Sequence, residues 1–290
     1  MNNIIKRKMN PVSPDVFLKQ KTVIAPSKGR VSINLKEIWN YRELLGILAW
    51  RDISVRYKQS IVGIGWAIIQ PVMTMIIFTI IFGKFAKLPS EGIPYPVFTY
   101  CALLPWTYFA RSLTDSSDSL VGSSELITKV YFPRIILPIS KVFAGLIDLS
   151  IAFIILIGMM FWYRIAPTAG ILLLPVFIIV AMLAALGVGF WFTALNVLYR
   201  DVKFVVPFLV QFWMYASPVA YSTSLIPDKW KWIYGLNPMV GVVEGFRWAL
   251  LGKVAPNISM LLISILIVFI VLITGLYFFK RMEKTFADII

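Results

Sequence analysis

Histidine is absent from this chain of 290 residues, and cysteine occurs once, at Cys101. A lone cysteine excludes an internal disulfide, and without histidine the ordinary His/Cys metal sites lack their ligands. Charge is also scarce. Charged residues make up 14% of the chain, against about 25% in soluble domains, too few to clothe a surface that faces water. The remainder is strongly apolar, 59% hydrophobic with a mean hydropathy of +0.81. Lipid is therefore the solvent for much of the molecule.

The net charge of +14 raises the question of nucleic acid. Its distribution answers against that, because Lys and Arg flank apolar runs instead of forming one patch interleaved with stacking aromatics. Charge beside membrane spans accounts for it better. No secretory leader is visible: the first long apolar run opens near Val62, so the first span itself is expected to direct insertion.

A bilayer-crossing helix takes about 20 mostly apolar residues. Six stretches qualify, over residues 62–85, 96–116, 138–163, 171–198, 202–221 and 258–279; five or seven would also be compatible with the pattern. The second is the least clean, with Pro105, Arg111 and Asp115. Placing the N-terminus inside puts about 21 of the 28 Lys and Arg on the cytoplasmic side, the asymmetry that orients membrane proteins. Both termini are then cytoplasmic. The expected class is all-α integral membrane, with six transmembrane helices and three parts: a basic cytoplasmic arm (1–35), amphipathic interfacial helices (36–61) and a six-span domain (62–290).

Within 36–61, Ile38, Tyr41, Leu44, Leu45 and Leu48 share one helical face, as expected of a helix lying in the membrane interface. A following turn sets Trp50, Ile53 and Tyr57 on one side and Arg51, Arg56 and Lys58 elsewhere. The plainer reading of the same residues is a charged anchor for the first span. Between spans two and three, residues 126–134 form a short helix ended by Pro133. It presents Tyr131 and Phe132 with Lys129 and Arg134, a surface suited to a protein partner, or to seating in lipid headgroups. Residues 222–257 are too apolar in their second half for a loop and too short for a span, which predicts a re-entrant helix. On it Glu244 and Arg247, three apart, are placed to pair.

Charges inside spans are functional suspects. Arg111 and Asp115 stand four apart in span two, with Asp118 at the same end; Lys141 and Asp148 stand seven apart in span three. Mutual neutralisation within each pair outweighs a proton relay as their explanation. Among deeper aromatics, Trp66, Trp106, Trp213, Tyr215 and Tyr221 are candidates to line a pathway by stacking on its cargo, with packing or lipid contact the competing role for each. No phosphate-binding loop is present. The closest string, Gly245 to Gly252–Lys253, has six residues between its glycines where four are needed, and Val254 where Ser or Thr is needed.

Six strings in order then carry a family resemblance. They are Arg51–Asp52–Ile53 with Arg56–Tyr57–Lys58–Gln59–Ser60 and Gly63 through Gln70–Pro71; Leu103–Leu104–Pro105–Trp106; Lys129–Val130–Tyr131–Phe132–Pro133–Arg134; Arg200–Asp201–Val202; Ser217–Pro218–Val219 with Tyr221; and Leu236–Asn237–Pro238 running on to Phe246–Arg247. Over residues 36–280 the chain resembles ABC-2 type permeases, the membrane subunits of polysaccharide exporters. The resemblance implies a homodimer in the bacterial inner membrane, joined by two copies of a separate ATPase that carries ATP and Mg, with no cofactor on this chain. It implies export of lipid-linked polysaccharide, O-antigen first, with capsule and teichoic acid as alternatives.

By the same resemblance, Arg51, Asp52, Arg56, Tyr57, Lys58 and Gln59 lie at the cytoplasmic gate and take part in coupling to the ATPase. Lys129, Tyr131, Phe132, Pro133 and Arg134 belong to the coupling helix that meets the ATPase. Asn237, Pro238, Glu244 and Arg247 belong to the external cap. A membrane-embedded glycosyl- or acyltransferase is the rival of another class, and it lacks the catalytic His or paired carboxylates it would need. A stand-alone ion-coupled flippase is a further rival.

Overall fold

The computed structural model describes residues 35–58, 65–252 and 255–289, all within one compact unit. The expected basic arm lies outside the described residues except for Leu35, as does Gln59. Helices are the regular structure of the described residues, with no strand among them. In order they form α1 (Leu35–Asn40), α2 (Arg42–Lys58), α3 (Gly65–Phe78), α4 (Tyr95–Ser117), α5 (Ser124–Lys129), α6 (Ile136–Trp162), α7 (Leu174–Leu198), α8 (Val202–Tyr215), α9 (Asp228–Tyr234), α10 (Pro238–Leu251), α11 (Ile258–Met282) and α12 (Phe286–Ile289). A π-helical turn, Thr79–Phe85, continues α3, and a 3-10 turn, Ala169–Leu173, leads into α7.

Among the described residues, four helical stretches are long and apolar enough to cross a bilayer: Gly65–Phe85, Ile136–Trp162, Ala169–Leu198 and Ile258–Met282. The other two expected spans fall short for different reasons. α4 is long, at 23 residues, but carries Arg111, Asp115 and several hydroxyls. It tolerates them because protein surrounds it: α3, α6, α7, α8 and α10 all pack on it, and every residue from Val97 through Leu104 is fully buried. α8 has 14 residues, about 21 Å at 1.5 Å per residue, and stops at Tyr215 where the sequence suggested 221. Beyond it the chain turns through Ser217–Pro218 and folds back.

Close helix contact in an apolar solvent depends on small residues. α7 and α11 make the most extensive contact, at Gly187 and Gly275. A Cβ on Gly275 would lie 2.2 Å from the Gly187 carbonyl oxygen, and one on Gly187 would lie 2.8 Å from the Leu272 nitrogen. α10 begins with Asn237, whose side chain accepts from the Met239 N–H, and ends at Gly252 with φ of 64°, a left-handed conformation that suits glycine. It packs against α4, α7 and α11, so the segment too apolar for a loop is a helix buried by protein.

A second apolar cluster closes the end of the molecule where α2 lies. It joins Leu48 of α2 to Leu120, Phe132 and Ile135–Leu137, to Phe190, Ala194 and Val197 of α7, and to Phe279 and Phe286. Ile38, Tyr41, Leu44 and Leu45 pack against it, so the predicted apolar face of 36–48 turns into protein. Trp39, Ile47 and Trp50 are exposed instead, and Trp50 does not share the half-buried environment of Ile53 and Tyr57.

Candidate functional site

α2 is held to the spans by charge. Its docked side presents Asp52 and Arg56, one turn apart, to α4 and α6. Arg56 reaches Asp115 of α4 at 2.7 Å and also binds Asp148 of α6. The Tyr57 hydroxyl donates to the same Asp148 carboxylate, and Arg111 lies 3.5 Å from it. Lys141, two turns before Asp148, pairs with Asp52 at 3.0 Å, and Arg51 holds the other Asp52 oxygen at 3.1 Å. Burial first, then the bond to Asp148, pushes the Tyr57 hydroxyl up to about 12, so it remains a donor at neutral pH.

Half of the expected pairing is found and half is corrected. Arg111 and Asp115 do pair, at 3.9 Å, whereas Lys141 pairs with Asp52 while Asp148 takes Arg56 and Arg111. The reason is reach. Cations and carboxylates on α2 lie between α4 and α6, whereas groups seven apart on one helix are two turns, about 10 Å, distant. A cavity of about 740 Å³ opens beside the cluster, lined among others by Arg51, Arg56, Asp115, Asp118, Lys141 and Lys203. Lys58 is exposed at the end of α2.

The α5 region divides into a surface and an anchor. Lys129 is exposed and within 3.5 Å of Glu125, and Tyr131 is 63% exposed. Phe132 is only 5% exposed and belongs to the second cluster, which corrects the expectation of two presented aromatics. α5 stops at Lys129 with Val130 already extended, short of the Pro133 expected to end it; the Pro133 carbonyl accepts from the Ile136 N–H at 3.0 Å as α6 starts. Arg134 donates to the Glu283 carbonyl at 2.9 Å.

At the opposite end of α4, Arg247 is buried in α10. It pairs with Glu244 at 3.2 Å, donates to the Val219 and Tyr221 carbonyls at 2.9 and 3.2 Å, and stands 3.7 Å over the Phe98 ring. Glu244 also accepts from the Thr223 hydroxyl at 3.0 Å. The expected Glu244–Arg247 pair is thus present, and it staples α10 to α4 and to the turn after α8. Asn237 does the same for α8: it accepts from the Trp213 indole at 2.9 Å and donates to the Ala216 carbonyl and Ser217 hydroxyl. Pro238 is buried at the first turn of α10, a position where its missing N–H costs nothing.

An open pocket of about 500 Å³ sits beside these residues, lined by Trp213, Tyr221, Trp230, Ile233, Tyr234 and Asn237 among others. The Tyr221 and Tyr234 hydroxyls are 2.8 Å apart, and Tyr221 also donates to the Tyr215 carbonyl. Burial and the Tyr221 contact raise the Tyr234 hydroxyl well above the ordinary phenol range. The structure thus gathers Trp213 and Tyr221 but separates the other predicted pathway aromatics. Trp66 and Tyr215 are exposed on the flank, and Trp106, 2% exposed, packs on Phe109 inside the core. Trp106 therefore lines no open route within one chain. Trp230 and Tyr234 were missed as pocket residues; their cue in the sequence is aromatic density over 230–234.

Residues 43–251 match the family model described as ABC-2 type transporter. The chain is 29% identical over 249 residues to the O-antigen export system permease protein RfbA of Klebsiella pneumoniae, covering 86% of this chain and 95% of that protein. Against the protein of the same description from Myxococcus xanthus it is 28% identical over 259 residues, with 88% and 98% covered. The polysialic acid transport protein KpsM of Escherichia coli is 25% identical over 241 residues, with 81% and 91% covered.

Proposed function

Because the chain belongs to the ABC-2 type transporter family, we propose that it is the membrane permease subunit of an ATP-driven exporter of lipid-linked polysaccharide, O-antigen being the first substrate to test. The observation that carries this reading is similarity along nearly the whole chain to permeases of O-antigen and polysialic acid. Capsular polysaccharide and teichoic acid are the alternatives within the class.

In this reading α4 and α8 complete a set of six spans, α10 is re-entrant on the external side, and both termini are cytoplasmic in the bacterial inner membrane. Two permeases and two ATPase subunits form the working unit, with ATP and Mg held by the ATPase. The chain itself catalyses no reaction. Residues Lys129 to Arg134 meet the ATPase, and the α2 cluster of Arg51, Asp52, Arg56 and Tyr57, with Lys58 and Gln59 after it, forms the cytoplasmic gate. What supports this assignment is convergence: α2 and the loop after α5 share one apolar cluster, so a push on the loop reaches α2 through packed side chains. Trp213, Tyr221 and the adjoining aromatic pocket belong to the exit, capped by Asn237, Pro238, Glu244 and Arg247.

The glycan that accumulates inside cells lacking this subunit identifies the cargo; accumulation of none sinks the reading. Tyr131→Ala tests the coupling element, because this side chain is exposed and its loss leaves the cluster intact. Membrane insertion persists, while export falls and ATP hydrolysis loses its dependence on cargo. Normal coupling in that variant removes the loop from the mechanism.

A further inference from the structure

The segment after α11 packs directly under the loop assigned to coupling. Arg134, at the end of that loop, donates to the Glu283 carbonyl across 149 residues of sequence. Lys280, in the last turn of α11, pairs with the Glu283 carboxylate at 2.7 Å. The chain then turns, with the Thr285 N–H and hydroxyl both donating to the Met282 carbonyl at 2.9 and 2.8 Å. The turn brings Phe286 back into the fold, fully buried and edge-on to Phe279 at 5.4 Å between ring centres. Phe279 leans in turn on Phe190 of α7 at 5.5 Å. Phe132, Ile135 and Leu48 complete the same cluster.

A polar extension beyond the last span has no need of a fully buried phenylalanine, and aromatic burial of this size is a major apolar contribution. Nor can α5 hold its own direction, since a six-residue helix is far below the length that is stable alone. Something packed behind the loop must resist when the loop is pushed.

We propose that residues 283–289 are the brace of the coupling loop, with Phe286 the positioning residue. Phe286 fills the cluster behind Phe132, and the Glu283 carbonyl ties down Arg134. The loop therefore moves as one body with α2, α7 and α11 instead of yielding locally. The proposal rests on the reading of residues 129–134 as the coupling element. Phe286 touches neither cargo nor nucleotide in this scheme; it acts through the loop.

The test uses the permease with its ATPase subunit in native membranes, comparing Phe286→Ala, Phe286→Leu and a chain ending at Thr285. Readouts are membrane level, co-purification of the ATPase, and glycan exported per ATP hydrolysed. The alanine variant and the shortened chain keep insertion and co-purification, while export per ATP falls about three- to tenfold; the leucine variant restores most of it. An unchanged ratio in both, with Tyr131→Ala uncoupled, overturns the brace and leaves the coupling reading standing. An unchanged ratio in Tyr131→Ala as well overturns both. Should the alanine variant fail to accumulate, Phe286→Val takes its place, and a wild-type ratio there overturns the proposal.

Discussion

Arg56 of α2 binds Asp148 in the second turn after Lys141 on α6, joining residues 92 apart in sequence. The two side chains are largely buried and share the site with Asp115, Arg111 and Tyr57. Such a pair is a weak source of stability as a whole but costly to break by halves. Asp148→Asn leaves two arginines facing one remaining carboxylate. It is expected to cost about 3 kcal/mol of stability in detergent melts, with export reduced at unchanged ATPase binding. Exchanging the charges, Arg56→Asp with Asp148→Arg, recovers part of the loss, a coupling energy of about 1 kcal/mol or more in the double-mutant cycle. Strict additivity of the two single variants would mean that the contact does not hold α2.

The Gly187–Gly275 approach predicts a steric failure independent of charge. A Cβ on Gly275 falls on the Gly187 carbonyl oxygen, whereas Gly158 has open space around it. Gly275→Val is expected to destabilise by about 3 kcal/mol or more, at the upper end for overpacking because backbone is in the way. Gly158→Ala is expected to match wild type in size-exclusion profile and melting temperature. Equal behaviour of the two would remove the claim that α7 and α11 are in backbone contact.

Trp106 and Trp230 separate packing from pathway. Trp106 is inside the core, so Trp106→Ala is expected to cost about 3–5 kcal/mol and to lower the amount of folded protein. Trp230, 51% exposed at the aromatic pocket, is expected to change stability by no more than about 0.5 kcal/mol. If sugar stacks there, the lost contact is worth about 0.5–1.5 kcal/mol, which slows export about two- to tenfold. Pulse-labelled glycan appearing outside at the wild-type rate would exclude the pocket from the route.

These residues also mark where sequence stops informing structure. Except at the end of α8, the boundaries of the apolar helices were legible: 138–163 was expected and Ile136–Trp162 is found, because lipid as solvent imposes hydropathy residue by residue. That Leu44, Leu45 and Leu48 share one helical face was legible from their periodicity, but that face was expected in the membrane interface and packs on protein instead. The partners of Asp148 were not. Spacing along α6 suggests Lys141, but the choice depends on where a helix 92 residues earlier comes to rest. Phe132 looked presentable beside Tyr131, and only the arrival of Phe279 and Phe286 buries it. Trp106 looked like Trp213, and its burial follows from the central place of α4. Arg111 and Asp115 made α4 the least clean of the expected spans, and only its packing against α3, α6, α7, α8 and α10 shows a helix wrapped by protein instead of lipid.

Arg247 offers the sharpest contrast between a charge that pairs and a charge that staples. Its partner Glu244 is one contact among several, since the guanidinium also satisfies the Val219 and Tyr221 carbonyls and covers the Phe98 ring. Glu244→Gln keeps a hydrogen-bonding group of the same shape, so its cost is expected near 1–2 kcal/mol, about that of weakening a charged hydrogen bond. Arg247→Met strands Glu244 and the Val219, Tyr221 and Phe98 carbonyls in a buried site, with an expected cost of about 3–5 kcal/mol. Arg247→Lys is not expected to rescue it, because an ammonium cannot present the planar fork that spans these acceptors. Thermal melts order the three variants, and proteolysis within residues 216–236 reports whether the turn after α8 has come loose. A lysine variant as stable and protease-resistant as wild type would show that charge alone suffices there and that the fork holds nothing together.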